Sequence, residues 1–155
     1  MTHLDEYGRA RMVDVTRKKE TVRVAVARGS VLMKPETLAM ISRGEMAKGD
    51  VFSVARIAGI MAAKNTSGLI PLCHPLQLTG VEIRFSVRDE RTLEIEAQVT
   101  NRGRTGVEME AMTAVSAAAL TVYDMCKAVD RRMVLTEIRL ISKTGGKSGT
   151  FVREP

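Results

Sequence analysis

The segment Leu120-Thr-Val-Tyr-Asp-Met-Cys-Lys-Ala-Val129 sets one acid, Asp124, and one base, Lys127, among apolar neighbours. A three-residue spacing puts both on one face of a helix. Two chemistries suit such a pair. An ordinary surface ion pair contributes little. A partly buried acid–base pair could move protons, because desolvation draws the pKa of a lysine down toward neutrality.

Three further groups carry chemical potential. His74 lies between Pro71 and Pro75 in Leu69-Ile-Pro-Leu-Cys-His-Pro-Leu76, where it is either a hydrogen-bonded packing residue or an imidazole presented by a stiff loop. Glu108-Met109-Glu110 opens an apolar run. Acids are expected in a first helical turn from the dipole alone, yet a carboxylate there could also pair with the amino groups of a purine or pterin. Lys48-Gly49-Asp50 precedes another helical pattern, and a lysine beside a helix N-terminus resembles a phosphate-binding arrangement in outline. The late Gly146-Lys147-Ser148 is not a P-loop. The Walker pattern needs a glycine five positions before Gly146, where Ile141 stands, and a helix after the lysine.

Composition narrows the partners. The chain has 155 residues, 45% of them hydrophobic, and a net charge of +6 from 24 basic and 18 acidic side chains. The positive balance favours an anionic partner, either nucleic acid or a phosphorylated small molecule. There is no Trp, with three Phe and two Tyr; that is too few for the stacking platforms of single-strand or RNA binders. No nucleic acid is therefore expected. No apolar run reaches the roughly 18 residues of a membrane span, and the polar N-terminus is not a secretory signal, so a soluble cytoplasmic protein is expected. Cys73 and Cys126 read as reduced thiols, with one long-range disulfide as the alternative. Of the two Cys and two His, His3 lies in the polar leader, so a four-ligand zinc site would need both distant cysteines plus carboxylates, and no metal is expected.

These residues must be held by a short list of elements. Residues 1–11 lack periodicity and are expected to form a flexible leader. Thr21–Val31 alternates, with Val22, Val24 and Val26 on the face expected to be half-buried and Arg23 on the other. Pro35 opens a helix that Gly44 closes. Asp50 caps a second helix whose Val54, Ile57, Ala58, Met61 and Ala62 form the expected buried stripe. The proline-bracketed segment 69–76 reads as an extended, buried loop. Two clean strands, Val81–Val87 and Leu93–Val99, flank a turn at Asp89-Glu90. Val107 to about Val129 forms the longest helix, apolar nearly all round, which points to burial on more than one side and to a partner subunit. Val134–Ile141 is the last strand, and Thr144–Gly149 starts a flexible tail. The pattern predicts one α+β domain, residues 12–149, with an antiparallel sheet covered by helices on one face and a tail over 150–155.

Several segments together resemble the MoaC family of molybdenum cofactor biosynthesis proteins. They are Met12-Val-Asp-Val-Thr16, Lys48-Gly-Asp-Val-Phe52 with Ala55-Arg-Ile-Ala-Gly-Ile60, Leu69 to Leu76, Thr105-Gly-Val-Glu-Met-Glu-Ala111, Ala118 to Val129, and Lys143 to Gly149. The resemblance implies a ferredoxin-like α+β fold. It also implies lyase chemistry, the conversion of 3′,8-cyclo-7,8-dihydro-GTP to cyclic pyranopterin monophosphate with release of pyrophosphate. It further implies that a radical SAM enzyme supplies the substrate, that no metal or redox cofactor is needed, and that the chain forms a homohexamer, a trimer of dimers with active sites at subunit interfaces. Carried over by motif, the catalytic positions fall on Asp124, Lys127 and Lys48. The substrate-binding positions fall on Leu72, Cys73, His74, Met109, Glu110 and Arg23. Arg17, Lys18, Arg104 and Lys147 are candidate triphosphate contacts.

Overall fold

The alternating runs become five strands of one sheet: β1 (Thr21–Leu32), β2 (Leu78–Val87), β3 (Thr92–Gly103), β4 (Val134–Thr144) and β5 (Phe151–Val152). The computed structural model describes residues 3–155; positions 1–2 of the expected leader lie outside the described residues. The strand order is β2-β3-β1-β4-β5, and every pairing is antiparallel. The helices are α1 (Pro35–Arg43), α2 (Val51–Lys64), the one-turn α3 (Thr66–Leu69) and α4 (Glu108–Cys126). Helix α4 lies across β1, β3 and β4, while α2 covers β2 and packs against α4. Helices between β1 and β2 and between β3 and β4, with β3 and β1 central, give the ferredoxin-like arrangement with one added edge strand. Among the described residues no helix is long and apolar enough to cross a membrane.

Local signals act where they stand in the chain. Gly44 takes φ 69° and ends α1, a conformation that costs glycine little. Asp50 Oδ1 accepts the Ser53 N–H at 3.1 Å at the start of α2. The Asp89 carboxylate accepts the Arg91 N–H at 2.8 Å and shapes the β2–β3 turn.

The faces of two elements are opposite to expectation. On β1 the helix-facing row is Ala25, Ala27, Gly29 and Val31, opposite Val99, Ala97, Ile95 and Leu93; Val22, Val24 and Val26 line the open side of the sheet. A Cβ on Gly29 would stand 2.7 Å from Val115 Cγ1, so bulky residues on that row would lift α4 off the sheet. On α2 the buried row is Val51, Ala55, Gly59 and Ala63. Val54, Ile57 and Met61 are 45%, 59% and 63% exposed. A Cβ at Gly59 would lie 2.9 Å from the Ala114 carbonyl oxygen and 2.2 Å from Ile83 Cδ1, so only a small-residue face lets α2 approach the alanines of α4 this closely. Periodicity finds a stripe, but contact distance decides which stripe is used.

Three segments also depart from expectation. The loop 69–76 is not buried, because it borders an open cavity: Leu69 and Leu72 are exposed, with Cys73 and His74 between the extremes. Helix α4 stops at Cys126, and the Val129 and Asp130 N–H groups turn back to its carbonyl oxygen. The chain after Thr144 turns through glycines and returns as β5, pairing Phe151 with Lys143 and Val152 with Ser142.

Candidate functional site

Asp124 lies in the last turn of α4 with Lys127 just past its end, and Lys48 reaches them from the loop between α1 and α2. Lys127 Nζ donates to Asp124 Oδ1 at 2.7 Å, and Lys48 Nζ donates to Oδ2 at 2.9 Å and to the Asp124 carbonyl oxygen at 3.1 Å. The three side chains are 54%, 51% and 50% exposed. In the single chain this is therefore an open three-residue cluster, not a partly buried pair. The hydrogen bond from Lys127, then that from Lys48, then the charges of both, lower the Asp124 carboxyl to about 2. It is a carboxylate throughout the neutral range, clamped between two ammonium groups. Lys48 does not lie over the α2 N-terminus as expected; Asp50 occupies that end through its bonds to Ser53.

The other predicted residues gather around a cavity of about 410 Å³ at the opposite end of α4. Leu72, Cys73, His74, Met109 and Glu110 all line it, joined by Val13 and Val15 from the N-terminal segment. His74 Nε2 lies 2.7 Å from the Val13 carbonyl oxygen. A carbonyl only accepts, so Nε2 carries the proton and Nδ1 is the basic nitrogen of the neutral ring. Glu110 is 4% exposed. Burial pushes its carboxyl up, its own backbone N–H opposes this, and the neighbouring Glu108 charge adds to the rise. Burial, then the charge of Glu110, also push the Cys73 thiol up, which makes it a contact surface and not a ready nucleophile. Both cysteines are free thiols.

A second cavity of about 150 Å³ shares Lys18, Thr105, Gly106 and Glu108 with the first and adds Arg23, Lys143 and Ser148. Arg23 is fixed by donating its Nε–H to the Gly103 carbonyl oxygen at 3.0 Å. The 144–149 turn closes over it. Gly145 and Gly146 take φ 89° and 79°, and a Cβ on Gly146 would stand 2.1 Å from Arg23 Nη1. Lys143, whose Nζ donates to Ser148 Oγ, was not singled out in the sequence. The signal for it was register: Ala25 pairs with Lys143, so Lys143 shares the face of β1 that carries Arg23. Of the other candidate triphosphate contacts, Arg104 lies 3.9 Å from Glu20; Arg17 and Lys147 line neither cavity.

One chain thus gathers the candidate residues into two separate clusters. Glu110 and Asp124 stand about four turns apart on α4, or roughly 21 Å along its axis. Asp124, Lys127 and Lys48 line neither cavity.

The MoaC family model matches residues 12–146. A protein of Thermomicrobium roseum named cyclic pyranopterin monophosphate synthase is 64% identical over 155 residues, covering 99% of this chain and 93% of that one. Its namesake in Desulfitobacterium hafniense is 62% identical over 154 residues, with 99% and 94% covered. The one in Brevibacillus brevis is 60% identical over 153 residues, with 99% and 96% covered. With a family model spanning most of its length and relatives this similar from end to end, the chain belongs to the MoaC family.

Proposed function

We propose that this protein is a cyclic pyranopterin monophosphate synthase, a lyase that converts 3′,8-cyclo-7,8-dihydro-GTP to cyclic pyranopterin monophosphate and releases pyrophosphate. The observation that carries the reading is Asp124 held between the ammonium groups of Lys48 and Lys127. The end-to-end similarity to proteins bearing that name supports it. Asp124, kept ionised, orients two cations whose protons can be given and taken as the purine five-membered ring opens and the pterin closes. The same cations stabilise charge on departing pyrophosphate. The larger cavity offers Glu110 and His74 to the base, while Lys18, Arg23 and Lys143 supply positive charge at its smaller neighbour.

The reading needs two copies of the chain for each site. A side-by-side, antiparallel pairing of two α4 helices brings the Asp124 end of one copy to the Glu110 end of the other. An isologous interface of this kind makes two identical sites at once. The exposed Ile57, Met61 and Leu120 are the apolar surface such a partner would cover. A homohexamer, a trimer of such dimers, is the assembly proposed. Residues 12–149 are its catalytic unit, in the cytoplasm, with substrate supplied by a radical SAM enzyme and no metal or redox cofactor.

The test is anaerobic incubation of purified protein with enzymatically made cyclic dihydro-GTP, following pyrophosphate and the fluorescent pterin formed on oxidation. Both products are expected at substoichiometric enzyme, with turnover abolished in Lys127→Ala while the assembly stays intact. Near-normal turnover in that variant removes Lys127 from the mechanism. Binding without product makes the chain a ligand-binding module.

A further inference from the structure

We propose that Asp130 is a positioning residue that sets Lys48 against Asp124 by joining the end of α4 to the start of α1. The proposal rests on the catalytic reading of that cluster. Asp130 is 2% exposed and acts in two directions. Its backbone N–H donates to the Cys126 carbonyl oxygen at 3.1 Å and closes the end of α4. Its carboxylate faces the start of α1: Oδ2 accepts the Lys34 N–H at 2.9 Å and the Thr37 hydroxyl at 3.3 Å. Oδ1 accepts the Arg132 N–H at 3.1 Å.

Helix α1 has no capping side chain of its own, since Lys34 stands at its N-cap and makes no such bond. A carboxylate from 96 residues away in sequence therefore takes the N–H of the N-cap residue, as the N3 carboxylate does in a capping box, at a helix end where the dipole favours negative charge. Burial alone would raise its carboxyl, but the N–H groups of Lys34 and Arg132, the Thr37 hydroxyl and the Lys34 charge together leave it lowered. It is a buried charge with partners at the start of α1 and in the turn after α4.

The consequence for the cluster follows from chain connectivity. Asp124 and Lys127 belong to α4 and the turn beyond it, six and three residues before Asp130. Lys48 follows α1, on the short turn in which the Gly49 N–H donates to the Met46 carbonyl oxygen. Among the described residues, Asp130 is the side chain that hydrogen-bonds the first turn of α1 to the turn after α4. Lys48 is thus held from two sides, by α2 packed on α4 and through α1 by Asp130; without Asp130 the α1 side of the 44–49 segment is released, and Lys48 leaves a contact that exists only at hydrogen-bond distance.

The experiment compares the native chain, Asp130→Ala and Lys48→Ala, with the Asp124 carboxyl followed by carbon-13 NMR across an acid titration. Lys48→Ala defines the rise in the Asp124 midpoint when one ammonium is missing. Asp130→Ala is expected to raise that midpoint in the same direction although both lysines remain. With substrate, its kcat is expected to fall by about ten- to a hundredfold at nearly unchanged KM, as for a small misplacement of a reacting group. Lys34→Pro removes the same hydrogen bond from the other side. The φ of Lys34 is already −68°, which proline fits without strain. It serves if the alanine variant does not fold, and it is expected to shift the midpoint likewise. An Asp124 midpoint that stays at the native value in a folded variant overturns the proposal. Because the titration needs no turnover, it stands even if the native chain makes no pterin; that outcome would remove the catalytic reading alone.

Discussion

Asp124 and Glu110 sit on one helix and are driven in opposite directions by their surroundings. Asp124 is lowered to about 2 by Lys127 and Lys48, so the native state gains from its ionised form. That contribution is complete above the ordinary aspartate range and is lost as pH falls through the lowered value. Asp124→Asn should flatten the acid limb of the stability profile between about pH 4 and pH 2, read by denaturant titration at each pH. Glu110 has the reverse sign. Its carboxyl is raised by burial, so stability is full below the ordinary glutamate range and declines as pH climbs through the raised value. Glu110→Gln should be more stable than the native chain at neutral pH, with the difference vanishing at low pH. At this scale the sequence showed which residue types could react and how they were spaced. It did not show burial: the Asp124–Lys127 pair proved open, and the glutamate at the start of α4 proved enclosed, because each depends on what a distant segment covers.

At the scale of the element, the close approach of α2 to α4 is set by small side chains. Ala55, Gly59 and Ala63 form the buried row of α2, and Gly59 faces the Ala114 carbonyl and the Ala118 methyl of α4. Gly59→Val should cost about 2 kcal/mol of stability, because the added carbons meet the Ala114 carbonyl and Ile83 and the helices must part. A chemical denaturation curve with an unchanged slope and a lower midpoint would show it. Helix starts, stops and turns were legible from local chemistry, as at Gly44, Asp50 and Asp89. The faces of β1 and α2 were not. Bulky valine, isoleucine and methionine mark the more hydrophobic stripe, yet the interior of this layer is narrow and took the alanine and glycine row.

For the whole molecule, the separation of the two clusters along α4 gives the proposed shared site a direct test. Glu110→Ala and Lys127→Ala each alter a different cluster. If each site draws one half from each of two copies, denaturing the two variants together at equal amounts and refolding them should restore about a quarter of native activity, since random mixing leaves that share of sites intact. No recovery in well-mixed assemblies would place both halves in one copy. If the proposed assembly covers Ile57 and Met61, Ile57→Asp with Met61→Asp should give smaller species than the native chain by light scattering, with activity lost.

The sequence alone determined the main elements other than the short α3 and β5, the antiparallel α+β class and, through six motifs in order, the family. These are properties of near neighbours in the chain, where period, caps and charge act over a few residues. Only the tertiary structure decided which faces are inside, that Lys48 is the second partner of Asp124, that Lys143 joins Arg23, and that Asp130 bonds the start of a helix 96 residues away. Each of those depends on which distant segments come within a few ångströms, and local spacing holds no record of that distance.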